Sequence, residues 1–157
     1  MDGKAGFGEA GGNHWLGNDP IHWLTSNCYQ RKASLRVELT QCGAQQPQYA
    51  LYERFAISDG KDEYRMNLYG FKDGGLGDAL SSSDNQPFTT KDRANDIFHF
   101  CSSLHGHGNL NGVYEKGCRY QHLFTSVDGL YWSTWPSSAL ANTYSAFNAT
   151  MKLRPSQ

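Results

Sequence analysis

Ser34-Leu35-Arg36-Val37-Glu38-Leu39-Thr40 and Tyr49-Ala50-Leu51-Tyr52-Glu53-Arg54-Phe55-Ala56-Ile57 are the stretches whose reading decides the fold. In the first, apolar and polar residues alternate with a period of two, which is the pattern of a strand with one face buried and one face wet. The second, rich in aromatic and β-branched residues, reads as the next strand. Gln41 to Gln48 holds Gly43 and Pro47 and reads as the turn between them. Asp62-Glu63-Tyr64-Arg65-Met66-Asn67-Leu68-Tyr69 alternates again and predicts a third strand. Together the three form an antiparallel meander.

Outward from this meander the signals thin. His14 to Pro20 reads as a short aromatic strand or turn. A short helix is expected near Pro20–Ser26, with Pro20 in its first turn and Asn18, Asp19 or Thr25 as a cap. Gly70 to Phe88 carries Gly74, Gly75, Gly77 and a serine run at 81–83, and reads as loop with one helical turn. Regular periodicity stays scarce up to Gly129, and a loop-rich region of that length usually carries function. Leu130–Trp135 and Ala149–Arg154 return to strand, and no internal repeat is present.

Composition bounds the function. A chain of 157 residues suits one domain with a real core. Its net charge of -1, without any Lys/Arg-rich run, argues against nucleic acid as the partner. Charged residues are 18% against 13% aromatic, with 17 glycines, which favours β structure and loops over helical bundles. No apolar run approaches the roughly 18 residues of a membrane span. The opening MDGKAGFGEAGG has no apolar core of a signal peptide.

The chemistry concentrates in Pro87–Tyr114, PFTTKDRANDIFHFCSSLHGHGNLNGVY. Asp92-Arg93-Ala94-Asn95-Asp96 places oxygen side chains at alternate positions, as a calcium loop does, because a hard cation needs several oxygens converging at about 2.3–2.6 Å. Ala94 stands where one of those oxygens belongs. Asp and Asn also cap their own backbone in turns, so a plain loop is the competing reading. His99, Cys101, His105 and His107 suggest zinc, but their spacing fits no standard pattern, and a solvated histidine loop explains them as well.

Cys28, Cys42, Cys101 and Cys118 are compatible with two disulfides. Proximity in sequence suggests 28–42 and 101–118, while free buried thiols are the alternative. Asn148-Ala149-Thr150 is a glycosylation sequon. No nucleophile–base pair, phosphate loop or paired carboxylates stand out, so no enzymatic activity is expected; a histidine-zinc hydrolase built on His99, His105 and His107 is the enzyme alternative.

Read as a series, several stretches resemble the fibrinogen C-terminal-like domain of fibrinogen chains, ficolins, tachylectins and angiopoietins. They are Gly6-Phe7-Gly8, His14-Trp15-Leu16-Gly17-Asn18, Ile21-His22-Trp23-Leu24-Thr25, Leu35–Leu39 and Ala50–Phe55. Further on come Gly77-Asp78-Ala79-Leu80, Pro87–Asp92, Asn109–Tyr114, Trp132–Trp135 and Met151–Pro155. The resemblance implies an α+β fold with a twisted antiparallel sheet, short helices and a loop-rich binding lobe. Residues 1–70 and 130–157 would form the sheet lobe and 71–129 the binding lobe. The last strand, Met151–Arg154, would return into the main sheet.

It also implies a non-enzymatic, secreted recognition module for glycans, acetylated sugars in particular, or for extracellular proteins in adhesion or signalling. Calcium would be held by Asp92 and Asp96 with the carbonyls of Phe98 and Phe100. Candidate ligand-binding residues are His105, His107, Asn109, Tyr114 and Tyr120, although Asn109 and Asn111 also serve loop backbone. Tyr131, Trp132 and Trp135 belong to the aromatic group too, but the two tryptophans are expected in the core.

The chain also departs from the family pattern. By the resemblance it would begin about a third of the way through the family pattern, so an opening subdomain and a sheet strand are expected to be absent from it, which would leave an unpaired edge. Oligomerisation would come from upstream sequence. After Cys101 the family's Gly-Trp-Trp segment and Cys-His pair are gone, and Pro136–Thr143 looks like an insertion.

Overall fold

The computed structural model describes residues 4–26, 32–89, 109–110, 132, 134–135 and 146–155. A two-residue ribbon opens the chain, β1 (Phe7–Gly8) against β2 (His14–Trp15), followed by helix α1 (Asn18–Thr25). β3 (Ala33–Thr40), β4 (Gln48–Ile57) and β5 (Met66–Gly74) form an antiparallel meander. β6 (Phe88–Thr89) pairs with β7 (Asn109–Leu110), and β8 (Asn148–Pro155) lies antiparallel along β3. The main sheet therefore runs β5-β4-β3-β8, and the last strand does return into it. Antiparallel sheet with few short helices makes this an α+β fold.

β3 obeys its sequence pattern strictly. Ala33, Leu35, Val37 and Leu39 are buried, and the residues between them are half-exposed. β4 does not keep one phase: Ala50 and Tyr52 face the core, and then so do Phe55 and Ile57. A period of two cannot bury both sets. The phase resets at Glu53 opposite Gly70 of β5, where Gly70 takes φ 75°. An added Cβ there would lie 2.9 Å from the Glu53 Cβ, so both the left-handed backbone and the space require glycine. Beyond the reset, β5 resumes with Phe71 tilted against Tyr52, ring centroids 5.6 Å apart.

Three expectations need correction. The third strand begins at Met66 rather than Asp62, because Asp59 caps a 3-10 turn over Gly60–Asp62 and Glu63 and Tyr64 close it with φ of 61° and 52°. That backbone is not extended, so the alternation there is coincidental. The strand also runs through Gly70 to Gly74, where loop was expected.

The helix covers 18–25, but its N-cap is Gly17, with no side-chain cap. Asn18 instead accepts from the Trp15 indole at 3.2 Å, and Asp19 accepts from Tyr64 at 2.5 Å. Thr25 ties the helix to β4, donating to the Ile21 carbonyl at 2.8 Å and accepting from Ile57 N–H at 3.2 Å.

The 28–42 disulfide is the third. Cys42 is an exposed free thiol, neither bridged nor buried. It sits in the turn at the Gln48 end of β4, while Thr25 is bound at the Ile57 end. Cys28 lies outside the described residues.

The core lies on one face of the sheet. Leu35, Val37, Leu39, Ala50, Tyr52, Phe55, Ile57 and Met66 meet Ile21 from the helix and Leu76, Ala79, Leu80, Trp132, Trp135 and Ala146 from the connecting segments. Ala149, Met151 and Leu153 of β8 continue that apolar row half-buried. Among the described residues β8 has no neighbour on its far side.

Candidate functional site

Two anchors stand beside the main sheet. One is the β6–β7 pair, where Phe88 pairs with Leu110 and Thr89 with Asn109. Phe88 stacks on Trp15 with centroids 5.9 Å apart, and its N–H donates to the Glu63 carbonyl at 2.9 Å. Phe88 is thus held against buried structure at the start of this pair.

The other anchor is the turn over residues 73–83. Asp73 Oδ1 accepts from the N–H groups of Gly75 at 2.8 Å and Gly77 at 2.9 Å, folding the glycine-rich segment on itself. Those donors, Gly77 first, stabilise the carboxylate and hold its pKa below the usual range. Gly77 has φ 71°, and an added Cβ would lie 2.8 Å from Thr134 Cβ, so the two segments touch backbone to side chain. The Gly77 carbonyl accepts from the Trp132 indole at 3.2 Å, and the Leu76 carbonyl accepts from Thr134 at 2.6 Å. Trp135 donates its indole N–H to Gln48 Oε1 at the start of β4. Trp132 and Trp135 are both core residues, as expected.

Below this turn sits Tyr52, fully buried. Its hydroxyl donates to Asp78 Oδ1 at 2.9 Å and accepts from Leu80 N–H at 3.2 Å, while the same Asp78 oxygen accepts from Ser81 N–H at 3.0 Å. Burial, then the adjacent Asp78 carboxylate, push the phenol well above its ordinary pKa, so it stays a neutral donor.

The sequence matches the family described as fibrinogen beta and gamma chains, C-terminal globular domain, over residues 1–156. This chain belongs to the fibrinogen C-terminal domain family. It is 35% identical to ryncolin-4 of Cerberus rynchops across 97% of this chain and 44% of that protein. It is 36% identical to human microfibril-associated glycoprotein 4 across 98% of this chain and 61% of that one. The chain therefore spans between about two fifths and three fifths of these two relatives. Among solved structures it resembles the fibrinogen-like globe domain of human ANGPTL6, with a TM-score of 0.75 and 33% identity over 98% of this chain and 68% of that one. A lamprey fibrin D-dimer complexed with the peptide Gly-His-Arg-Pro-amide aligns with a TM-score of 0.73 and 29% identity, over 96% of this chain and 54% of that one. The fold is the fibrinogen-like globe, and the chain is a fibrinogen-like recognition domain.

Within this fibrinogen-like domain the expected site residues divide sharply. Asp92, Ala94, Asp96, Phe98, His99, Phe100, Cys101, His105, His107, Asn111, Tyr114, Cys118, Tyr120 and Cys28 lie outside the described residues. Asn109 is placed in β7 opposite Thr89. Asn148 opens β8 on the surface, where a sequon acceptor has to be. No helix among the described residues is long and apolar enough to cross a membrane.

Sequence reasoning missed Asp73 and Asp78, which hold the turn over residues 73–83. The Asp-Gly-Gly-x-Gly run was their signal, since an Asx side chain followed by glycines folds its own backbone. It missed Tyr52 as a polar anchor because a buried tyrosine in an alternating strand looks merely apolar.

Proposed function

We propose that this fibrinogen-like domain is a non-enzymatic, extracellular recognition module that binds glycans, acetylated sugars in particular. Its lobe over residues 71–129 would contact the ligand, and 1–70 with 130–157 would form the scaffold. The observation that supports this reading is the β6–β7 pair, whose Phe88 stacks on Trp15 at the edge of the segment that carries the motif. Binding residues sit well on loops that a fixed scaffold positions. His105, His107, Asn109, Tyr114 and Tyr120 are the candidate contacts.

Calcium enters as the ion that orders the loop. Two carboxylates, Asp92 and Asp96, and the carbonyls of Phe98 and Phe100 are a sparse set for an ion that takes about six to eight oxygens. Ala94 adds no side-chain oxygen. Calcium affinity is therefore weak, and water fills the remaining positions. Restoring the missing ligand with Ala94→Asp should tighten calcium binding about tenfold or more by calorimetry, since affinity follows ligand charge count. No change on that substitution sinks the assignment of the loop as a calcium site.

A second reading is a protein-binding module with a vestigial sugar pocket. The sequence after Cys101, which runs Ser-Ser-Leu-His-Gly-His without a second cysteine, favours it. So does the relative solved with a bound peptide. A glycan array with and without EDTA separates the two. Calcium-dependent retention of acetylated sugars supports the lectin, and silence across the array supports the protein-binding module.

A further inference from the structure

The outer face of the main sheet, turned away from the core, carries an aligned set of cations. Arg36 lies opposite Lys152 of β8 on one side and Leu51 of β4 on the other, and Leu51 lies opposite Lys72 of β5. Their neighbours along each strand, Leu35, Val37, Ala50, Tyr52, Phe71, Met151 and Leu153, point to the core. The four residues therefore share one line across the sheet, spanning about 14 Å at the usual strand spacing. The three cations are accessible, with side chains 55% (Lys152), 39% (Arg36) and 61% (Lys72) exposed. Arg154 follows Lys152 two residues on, and Arg54 stands opposite the exposed Tyr69, both also outward.

Like charges directly opposite each other on a sheet destabilise it. Here one carboxylate serves two cations. Glu38 meets Arg36 Nε at 2.6 Å and Lys152 Nζ at 2.5 Å, and Lys152 first, then Arg36, hold its pKa below the usual range. The Arg36 guanidinium lies 3.8 Å over the Tyr49 ring, which fixes it flat along the surface. Lys72 pairs with Glu53 at 2.5 Å. Among the described residues, five cations thus face two carboxylates on this surface of a chain whose net charge is -1. The positive charge is segregated rather than balanced, and such a face attracts extended anions.

We propose that this face binds a linear sulfated polysaccharide, with Lys152, Arg36 and Lys72 as its row of contacts and Arg154 and Arg54 flanking it. Nucleic acid fits less well. A duplex carries one charge per about 1.7 Å, far denser than one cation per strand, and a flat sheet face offers no element to enter a groove. A polysaccharide spaces its sulfates by sugar rings, and the exposed Tyr69 beside Arg54 offers a ring face for a sugar. This site lies on the opposite side of the sheet from the core that supports the loop lobe, and it needs no calcium.

The test uses the whole chain and heparin as probe. On immobilised heparin at low ionic strength the wild type is retained, elutes with salt and ignores EDTA. The Lys72→Gln/Lys152→Gln double variant binds roughly tenfold more weakly, as expected when exposed charges supply the attraction. Lys72→Gln/Arg154→Gln, which leaves the Glu38 cluster intact, weakens it comparably, so the result survives if the first variant misfolds. Lys61→Gln, on the distant 3-10 turn, leaves binding unchanged. Flow-through of the wild type overturns the proposal, as does equal loss in the Lys61 variant. Equal affinity for a single-stranded oligonucleotide overturns the ligand class. EDTA-sensitive heparin binding would place the ligand in the loop lobe instead and overturn this site, whatever the acetylated-sugar array shows.

Discussion

Trp132→Ala should unfold the domain at markedly lower urea, with a loss of about 3–5 kcal/mol as measured for buried aromatic truncations. Trp132 is 2% exposed and packs in the same cluster as Leu76, Leu80 and Trp135. Truncation removes that packing and strands the Gly77 carbonyl, whose indole donor is 3.2 Å away. Collapse into the gap is hard because Gly77 already sits against Thr134, and Thr134 is itself bonded to the Leu76 carbonyl. Trp132→Phe separates the contributions. It keeps most of the ring volume, so the remaining loss of about 1–3 kcal/mol would report the unsatisfied carbonyl and a smaller gap. If the alanine variant lost less than about 1 kcal/mol, Trp132 would not be a core residue at all. Equilibrium urea titration followed by far-UV circular dichroism is the measurement.

Much of this fold was legible because β3 has one buried face and its side chains say so. Leu35, Val37 and Leu39 are inward, and Arg36 and Glu38 outward, as period two demands. β4 was legible as a strand but not as two half-strands of opposite phase, because the reset depends on Gly70 of a different strand. The spacing of Tyr52 and Phe55 was the visible hint. The start of β5 was misplaced because Asp62–Tyr64 has the right composition for a strand and the wrong backbone. Only the Asp59-Gly60 pair marked the turn, through the Asp59 carboxylate that takes Lys61 and Asp62 N–H. Cys28 and Cys42 looked like partners because they are close in sequence, yet Cys42 is an exposed free thiol.

The candidate site was legible differently. Its loop chemistry came from motif spacing over residues 92–114, which needs no tertiary information. Its supports came from contacts between distant segments, such as Trp132 with Gly77 and Phe88 with Trp15, which no local pattern encodes. The outer cationic row belongs with the supports, since Lys152, Arg36 and Lys72 become neighbours only once β8 and β5 take their places. Individually they read as ordinary solvated charges.

Tyr52→Phe tests whether the sheet and the turn over residues 73–83 are coupled through one hydroxyl. The ring is retained, so packing against Phe71 survives, while Leu80 N–H loses its acceptor and the half-buried Asp78 Oδ1 keeps only Ser81 N–H. The buried Leu80 N–H left unsatisfied costs about 1–3 kcal/mol. The loss should be local as well as global: amide exchange at 78–83 should speed up more than exchange in β3.

The same group sets an alkaline limit. Its folded pKa is raised above the unfolded value of 10.0, so the folded state holds this proton more tightly. The resulting stability is complete below about pH 10 and is lost as pH rises above the unfolded value, where the unfolded chain ionises first. In the wild type, melting temperature should therefore fall above about pH 10. Tyr52→Phe should begin less stable at neutral pH and decline less steeply over that alkaline range. Parallel alkaline slopes in the two proteins would mean that other groups govern the transition and that the Tyr52–Asp78 bond does not couple the sheet to the turn above it.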